Sequence, residues 1–169
     1  MTMPERLERV LPEILGRDTF DALVIRTDFG DDESWNAVIG ELRRPWGPFG
    51  EFPARVHVVD APAWSGADTD EVLSVVGEDD YLSVVFLADG HTMGSPVRAL
   101  LALTTIWEEE DDLDPAFYQE LIVSPQPREF RAAPTAVHAV HANLTLGNMD
   151  FAEFAEAASA EPDQVLRPV

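Results

Sequence analysis

The sequence predicts an α/β domain of three layers: a mainly parallel sheet of four or five strands, helices on both faces and a C-terminal helical pair. Two observations carry this. Short β-branched runs alternate with stretches of helical periodicity through the first half of the chain, the pattern of strand-helix-strand units around a parallel sheet. The last third is instead rich in alanine at helical spacing, with Gly147-Asn148 as a break between two helices.

In chain order, residues 1–18 read as an amphipathic opening segment, residues 19–160 as the α/β core and residues 161–169 as a frayed tail, all in one domain. Residues 21–28 form the first strand, a run of Leu, Val and Ile between turn formers. A helix follows, with Trp35, Val38, Ile39 and Leu42 on one face, acids in its first turn and Pro45 at its end. Residues 44–53 are a Pro/Gly/aromatic loop. Residues 56–60 are the second strand, 70–76 a short helix and 81–89 a buried third strand. Residues 99–106 read as a fourth strand, 108–114 as a solvated acidic stretch and 115–121 as helical turns. Residues 130–134 are an edge strand, and 135–146 and 149–158 the closing helices.

Composition excludes several chemistries. The chain has 169 residues and no cysteine, and all 11 basic residues are arginine. A thiolate nucleophile, a cysteine-held zinc or iron-sulfur cluster, a Schiff-base lysine and a lysine-containing phosphate loop are therefore ruled out. A formal charge of −21 disfavours nucleic acid and anionic membranes, and it suits a cationic protein partner or simply solubility. No run approaches the ~20 apolar residues of a membrane helix. The opening segment lacks the uninterrupted apolar core of a secretion signal, so a cytoplasmic location is expected.

All three confident strands end in aspartate: Asp28, Asp60 and Asp89. In an open parallel sheet their carboxylates share the edge at which ligands bind, and Asp31, Asp32, Trp64, His91 and Thr92 follow on the same loops. Oxygen ligands in that number suit Mg²⁺, with Asp28, Asp60 and Asp89 as its candidate holders. Asp89 and His91 are the catalytic candidates, Arg26 an anion contact, and Trp64 a stacking wall for a small molecule at this edge. Aspartate is also a favoured turn and helix-start residue, which explains the same positions without a ligand. A phosphorylation receiver domain has a similar arrangement, and Thr104 or Thr105 would take the hydroxyl position after its fourth strand. The comparison fails on the missing lysine and on the long spacing from Asp28 to Asp89.

His138 and His141, three apart on a helix, are a weak metal pair, with one expected exposed and the other at the edge of the core. His57 alternates with valines as a sheet residue. Trp46, Phe49 and Phe52 either form an exposed patch for a partner or pin their loop to the core. No hydrolase elbow, zinc-protease motif or dinucleotide-binding glycine pattern is present. The leading expectation is thus a non-catalytic acidic binding protein of accessory, regulatory or immunity type. A Mg²⁺-dependent enzyme or phosphate-handling domain and a small-molecule binder, both at the aspartate edge, are the alternatives.

Three segments carry a family resemblance: Leu23-Val-Ile-Arg-Thr-Asp-Phe29, Phe130-Arg-Ala-Ala-Pro134 and Asn143-Leu-Thr-Leu-Gly-Asn-Met-Asp-Phe-Ala-Glu-Phe154. Together they resemble an actinobacterial family of uncharacterised domains, over roughly residues 21–158. The resemblance implies no activity and no catalytic residue. The closing segment has a sufficient structural explanation in a capped helix burying Phe151, Phe154, Ala155 and Ala158, with Asn143 expected to stitch the two helices together.

Overall fold

A computed structural model describes residues 4–106 and 127–168. Its strands are β1 (Ala22–Arg26), β2 (Val56–Val59), β3 (Val84–Ala88), β4 (Leu100–Thr104), β5 (Glu129–Ala132) and β6 (Val165–Leu166). Its α-helices are α1 (Glu5–Glu8), α2 (Leu11–Leu15), α3 (Asp32–Leu42), α4 (Thr69–Val76), α5 (Gly90–Gly94), α6 (Val137–Thr145) and α7 (Phe151–Ser159). The acidic stretch and helical turns expected over 108–121 lie outside the described residues.

The strands form one sheet in the order β2-β1-β3-β4-β5-β6. β1 pairs in parallel with β2 and β3, β4 runs antiparallel to both its neighbours, and β5 pairs in parallel with β6. Five strands therefore point the same way and β4 alone is reversed. The reversal follows from the β3–β4 connection. A parallel return needs a dozen or more residues and a helix spanning the sheet. Here α5 has five residues, and Arg98, at φ 52°, turns the chain straight back.

Sheet parity divides the core into two layers. Ala22, Val24, Val84, Phe86, Leu100, Ala102, Phe130 and Ala132 point to one face, covered by Trp35, Val38 and Leu42 of α3, Val137 and Val140 of α6, and Phe154 and Ala158 of α7. Leu23, Ile25, Val59, Val85 and Leu87 point to the other, covered by Leu7 of α1, Ile14 of α2, and Val72, Val75 and Val76 of α4. The amphipathic opening segment is thus part of the second layer. Arg17 fixes it there: its Nε donates to Asp79 at 3.0 Å, and its Nη1 donates to the carbonyls of Asp18, Thr19 and Asp21.

The tail departs from expectation. Val165 and Leu166 are buried and extend the sheet beyond β5, so the described residues form six strands and the 130–134 segment is interior rather than edge. Two residues are too few to show a period, and an Ala133 N–H to Leu166 carbonyl bond of 2.9 Å holds them down. Asn143 donates its side-chain amide to the Ala139 carbonyl of its own helix at 2.8 Å, while its backbone carbonyl and its Oδ1 accept from the Asn148 backbone N–H at 2.9 Å and side-chain amide at 3.5 Å, which ties α6 to the turn before α7.

Candidate functional site

The strand order reverses between β1 and β3, which places a crevice at their carboxyl ends, where open α/β sheets bind ligands. Asp28 and Asp89 flank it. The Asp28 carboxylate accepts from the Gly30 N–H at 2.9 Å, and it lies so near the α5 backbone that a Cβ on Gly90 would come within 3.2 Å of it.

Asp60 is held by the last residue of β1. Arg26 is 4% exposed, yet it is fully engaged. Its Nε donates to the Asp28 carbonyl at 2.9 Å and its Nη2 to Asp32 at 2.7 Å, while Nη1 approaches Asp60 at 3.6 Å. Its guanidinium lies 4.5 Å from the ring centroid of Phe29 and 5.2 Å from that of Trp35. The Trp35 Nε1 donates to Asp60 at 3.1 Å. The expected anion contact is therefore an internal cation, neutralised by carboxylates and stacked on aromatics.

Asp89 has the strongest partner. Arg131 reaches from β5 across β4 and donates through both terminal nitrogens, at 2.8 and 2.9 Å. Asp89 also caps α5, accepting from the Thr92 N–H at 3.1 Å and the Thr92 hydroxyl at 3.0 Å. Burial pushes the Asp89 carboxyl up, but the Arg131 guanidinium and the Thr92 bonds outweigh it and hold the pKa below the ordinary aspartate range. Thr92 is buried and spends its hydroxyl on Asp89 and Ala99.

The remaining candidates disperse. Asp31 caps α3 through the Ser34 N–H and hydroxyl, and these bonds lower its pKa. His91 is exposed, beside Ser95, Pro96, Asp163 and Val165. Trp64 is 0% exposed in the α4-side core, so it cannot be a stacking wall at an open edge. Because β4 is antiparallel, Thr104 pairs with Val84 at the opposite end of β3 from Asp89, which removes the receiver-like hydroxyl. Among the described residues no group of three or more His, Asp or Glu side chains is placed to hold a metal ion.

The amino ends of the strands look different. Trp46 and Phe52 exchange both backbone hydrogen bonds, at 2.9 and 3.0 Å, closing the 46–52 loop. Their rings pack with centroids 4.8 Å apart, and Trp46 stacks on His138 at 6.0 Å. The loop is therefore pinned at its base, where Phe52 is still 44% exposed, while its tip faces solvent with Phe49 91% exposed. Phe20 adjoins them, half exposed under the Arg55 guanidinium, which pairs with Asp18 and Asp21. His138 and His141 are both buried, against the expectation of one exposed, because α6 is covered by the end of α3 and the turn before β1. Their Nε2 atoms contact the Leu42 carbonyl at 2.7 Å and the Thr19 carbonyl at 3.0 Å. Burial lowers both pKa values. His57, at the edge of β2, contacts the Glu13 carbonyl at 2.6 Å and ties α2 to the sheet.

Sequence reasoning missed Arg131, Arg55 and Phe20. The available signal for Arg131 was parity: an arginine between buried Phe130 and Ala132 in a strand must cross to the other face, where a carboxylate has to meet it. Among the described residues no helix is long and apolar enough to cross a membrane. Residues 21–169 match a protein family described as a domain of unknown function, DUF6924, and the chain belongs to it. No curated protein and no solved structure matches.

Proposed function

Since that family brings no activity with it, we propose from the site itself that the chain is a non-catalytic binding protein that docks a protein partner through the aromatic rim of Phe20, Phe49 and Phe52. The observation that supports this is the contrast between the two ends of the sheet. At the carboxyl end, Asp28, Asp60 and Asp89 are each engaged by the chain's own backbone, tryptophan or arginine. At the amino end, a phenylalanine 91% exposed is presented on a loop whose base is closed by two backbone bonds. Exposed aromatics on a preordered loop lose little entropy on association and are typical anchors of interfaces. A cationic partner fits the charge of −21, which would also speed encounter. A cytoplasmic, actinobacterial setting belongs to the same proposal. It is supported by a cysteine-free composition that needs no oxidising compartment, and by the lysine-free, arginine- and alanine-rich usage of a GC-rich genome.

The test is affinity purification of the tagged chain from its native host, alongside a Phe49→Ser variant. A partner retained by the wild type in a salt-sensitive manner and lost by Phe49→Ser supports docking through the loop. Equal retention by both rejects it. The Mg²⁺-dependent alternative is checked on the same samples: a rise in melting temperature with millimolar Mg²⁺ that disappears in Asp28→Asn would move the function to the carboxyl edge.

A further inference from the structure

A cavity of about 200 Å³ opens at the amino end of the sheet, and the rings of Phe20, Trp46, Phe52, His138 and His141 line it. Phe20 and Phe52 are also 51% and 44% exposed, so the cavity is reachable from solvent. Burial lowers the pKa of both histidines, which leaves their imidazoles uncharged at neutral pH. Among the described residues Arg55 is the one charged side chain in the lining, and Pro53 and Ala142 complete it, so no side-chain oxygen faces the cavity. Arg55 pairs with Asp18 at 3.0 Å and with Asp21 at 3.1 Å, one cation against two carboxylates, and this cluster at the rim carries a net negative charge. The same guanidinium lies 5.7 Å from the Phe20 ring centroid, within the range at which a ring attracts a cation.

Charge, hydrogen bonding and size narrow the ligand. Aromatic rings carry a negative face, and a negative rim in a chain of charge −21 adds to it, so the cavity favours a cation. An ammonium or guanidinium that entered would give up the water on its N–H donors and find no side-chain oxygen to replace it. A cation without N–H donors avoids that loss. An apolar cavity of about 150 Å³ accepts benzene, and a trimethylammonium group is of similar bulk. We propose that this cavity binds a quaternary ammonium group, with its methyls against the Phe20, Trp46 and Phe52 rings and its charge offset by the cluster of Asp18, Arg55 and Asp21. The group arrives either on a small choline-type molecule or as the trimethylated side chain of a partner's lysine. Phe20 and Phe52 belong to the docking rim as well, but Phe49 does not line the cavity, so binding here does not rest on partner docking through the loop tip.

The experiment titrates choline and its uncharged carbon isostere, neohexanol, into the full chain and follows the ligand methyl protons and the Trp46 indole N–H by NMR. A cavity that offered only apolar contact would bind neohexanol the tighter, because the cation loses its hydration without compensation. Here choline is expected to saturate and to bind about threefold or more tighter than neohexanol, with its methyl protons moved upfield by the ring faces and the Trp46 resonance shifted. Phe52→Leu keeps an apolar side chain without a ring, and it is expected to weaken choline about threefold while neohexanol stays within about twofold. N-acetyl-trimethyllysine amide distinguishes the sources: binding as tight as choline assigns the group to a partner's lysine, and its exclusion assigns it to a small molecule. Absence of saturation by choline, neohexanol binding as tightly, or methyl protons that do not move upfield overturns the proposal. Phe49→Ser keeps choline binding whether or not it loses a partner.

Discussion

Replacing Asp89 by alanine separates a structural carboxylate from one kept for chemistry. The variant loses the α5 cap to the Thr92 N–H, a contact that contributes about 1 kcal/mol at a typical helix start. It also loses two charge-assisted bonds to Arg131. Both side chains of that pair are about a quarter exposed, at 26% and 23%, so screening limits the pair to about 1–2 kcal/mol. The sum is a loss of about 2–3 kcal/mol, or roughly 5–10 °C in melting temperature for a domain of this size. Asp89→Asn keeps an acceptor for the cap and gives up the charge, so it should fall about halfway. Chemical denaturation of Asp89→Ala, Arg131→Ala and the double variant should give a coupling of about 1 kcal/mol or more. The opposite sign is equally informative. In a chain of charge −21, deleting a carboxylate held without a partner relieves repulsion and raises the melting temperature. An unchanged or higher melting temperature in Asp89→Ala would refute the structural reading and return Asp89 to the catalytic candidates.

Three further outcomes follow from the same contacts. His138 and His141 have folded pKa values below the ordinary 6.5, so the unfolded chain binds more protons under that pH. Stability should therefore be complete above about pH 6.5 and fall as the pH drops toward the folded values, with a slope approaching 1.4 kcal/mol per unit for each histidine, about the value of one proton. Urea melts between pH 7.5 and pH 5, at high salt to screen the carboxylates, check this, and a flat profile contradicts it. The lowered Asp18, Asp31 and Asp89 lose their contribution only further down, below about 3.8, and so do not confuse this window. Leu166→Ala should cost about 2 kcal/mol by denaturant titration, whereas a frayed terminus would tolerate it within about 0.5 kcal/mol. Gly47→Ala should open the 46–52 loop, since Gly47 has φ 97° and a Cβ there would lie 2.6 Å from the Phe52 ring. Tryptophan fluorescence should report a more solvated Trp46, and an unchanged spectrum would show the loop base to be adaptable.

The fold was legible where the chain obeys one local rule at a time. The continuous apolar run of 84–88 is too short for a helix and reads as a strand buried on both faces, and the alternation of such runs with Trp35-Val38-Leu42 spacing points to sheet faces and helix faces meeting in two layers. What was not legible is set by tertiary partners. The direction of β4 depends on α5 being one turn long, and a short connection is visible in sequence only once its ends are known. β6 has two residues, and its burial depends on α7 side chains just before it and on Ala133 and β5, more than 30 residues earlier. The histidines of α6 look amphipathic in isolation, and both are buried because the α3 end and the turn before β1 cover that helix from different sides.

The candidate site shows the same division more sharply. That Asp28, Asp60 and Asp89 end three strands and reach one edge is local information, and the structure puts them at that edge. Whether an edge carboxylate is available to a ligand depends on which cation reaches it first, and that is decided by residues far along the chain. Arg131 is 42 residues from Asp89, while Trp35 is 25 residues from Asp60. A chain with 32 acids and 11 arginines has carboxylates in excess, so most acids must remain without a cation and only a few positions can be paired. The arginines that are buried, Arg17 and Arg26, must take their partners inside, because a buried guanidinium without a carboxylate is far more costly than an exposed carboxylate without an arginine. Strand ends are where a buried strand arginine can reach such partners, and Arg26 draws Asp32 and Asp60 around it for that reason. Asp60 and Asp89 thus end their strands as partners of Arg26 and Arg131, whereas the Asp28 carboxylate is held by the Gly30 N–H of its own turn.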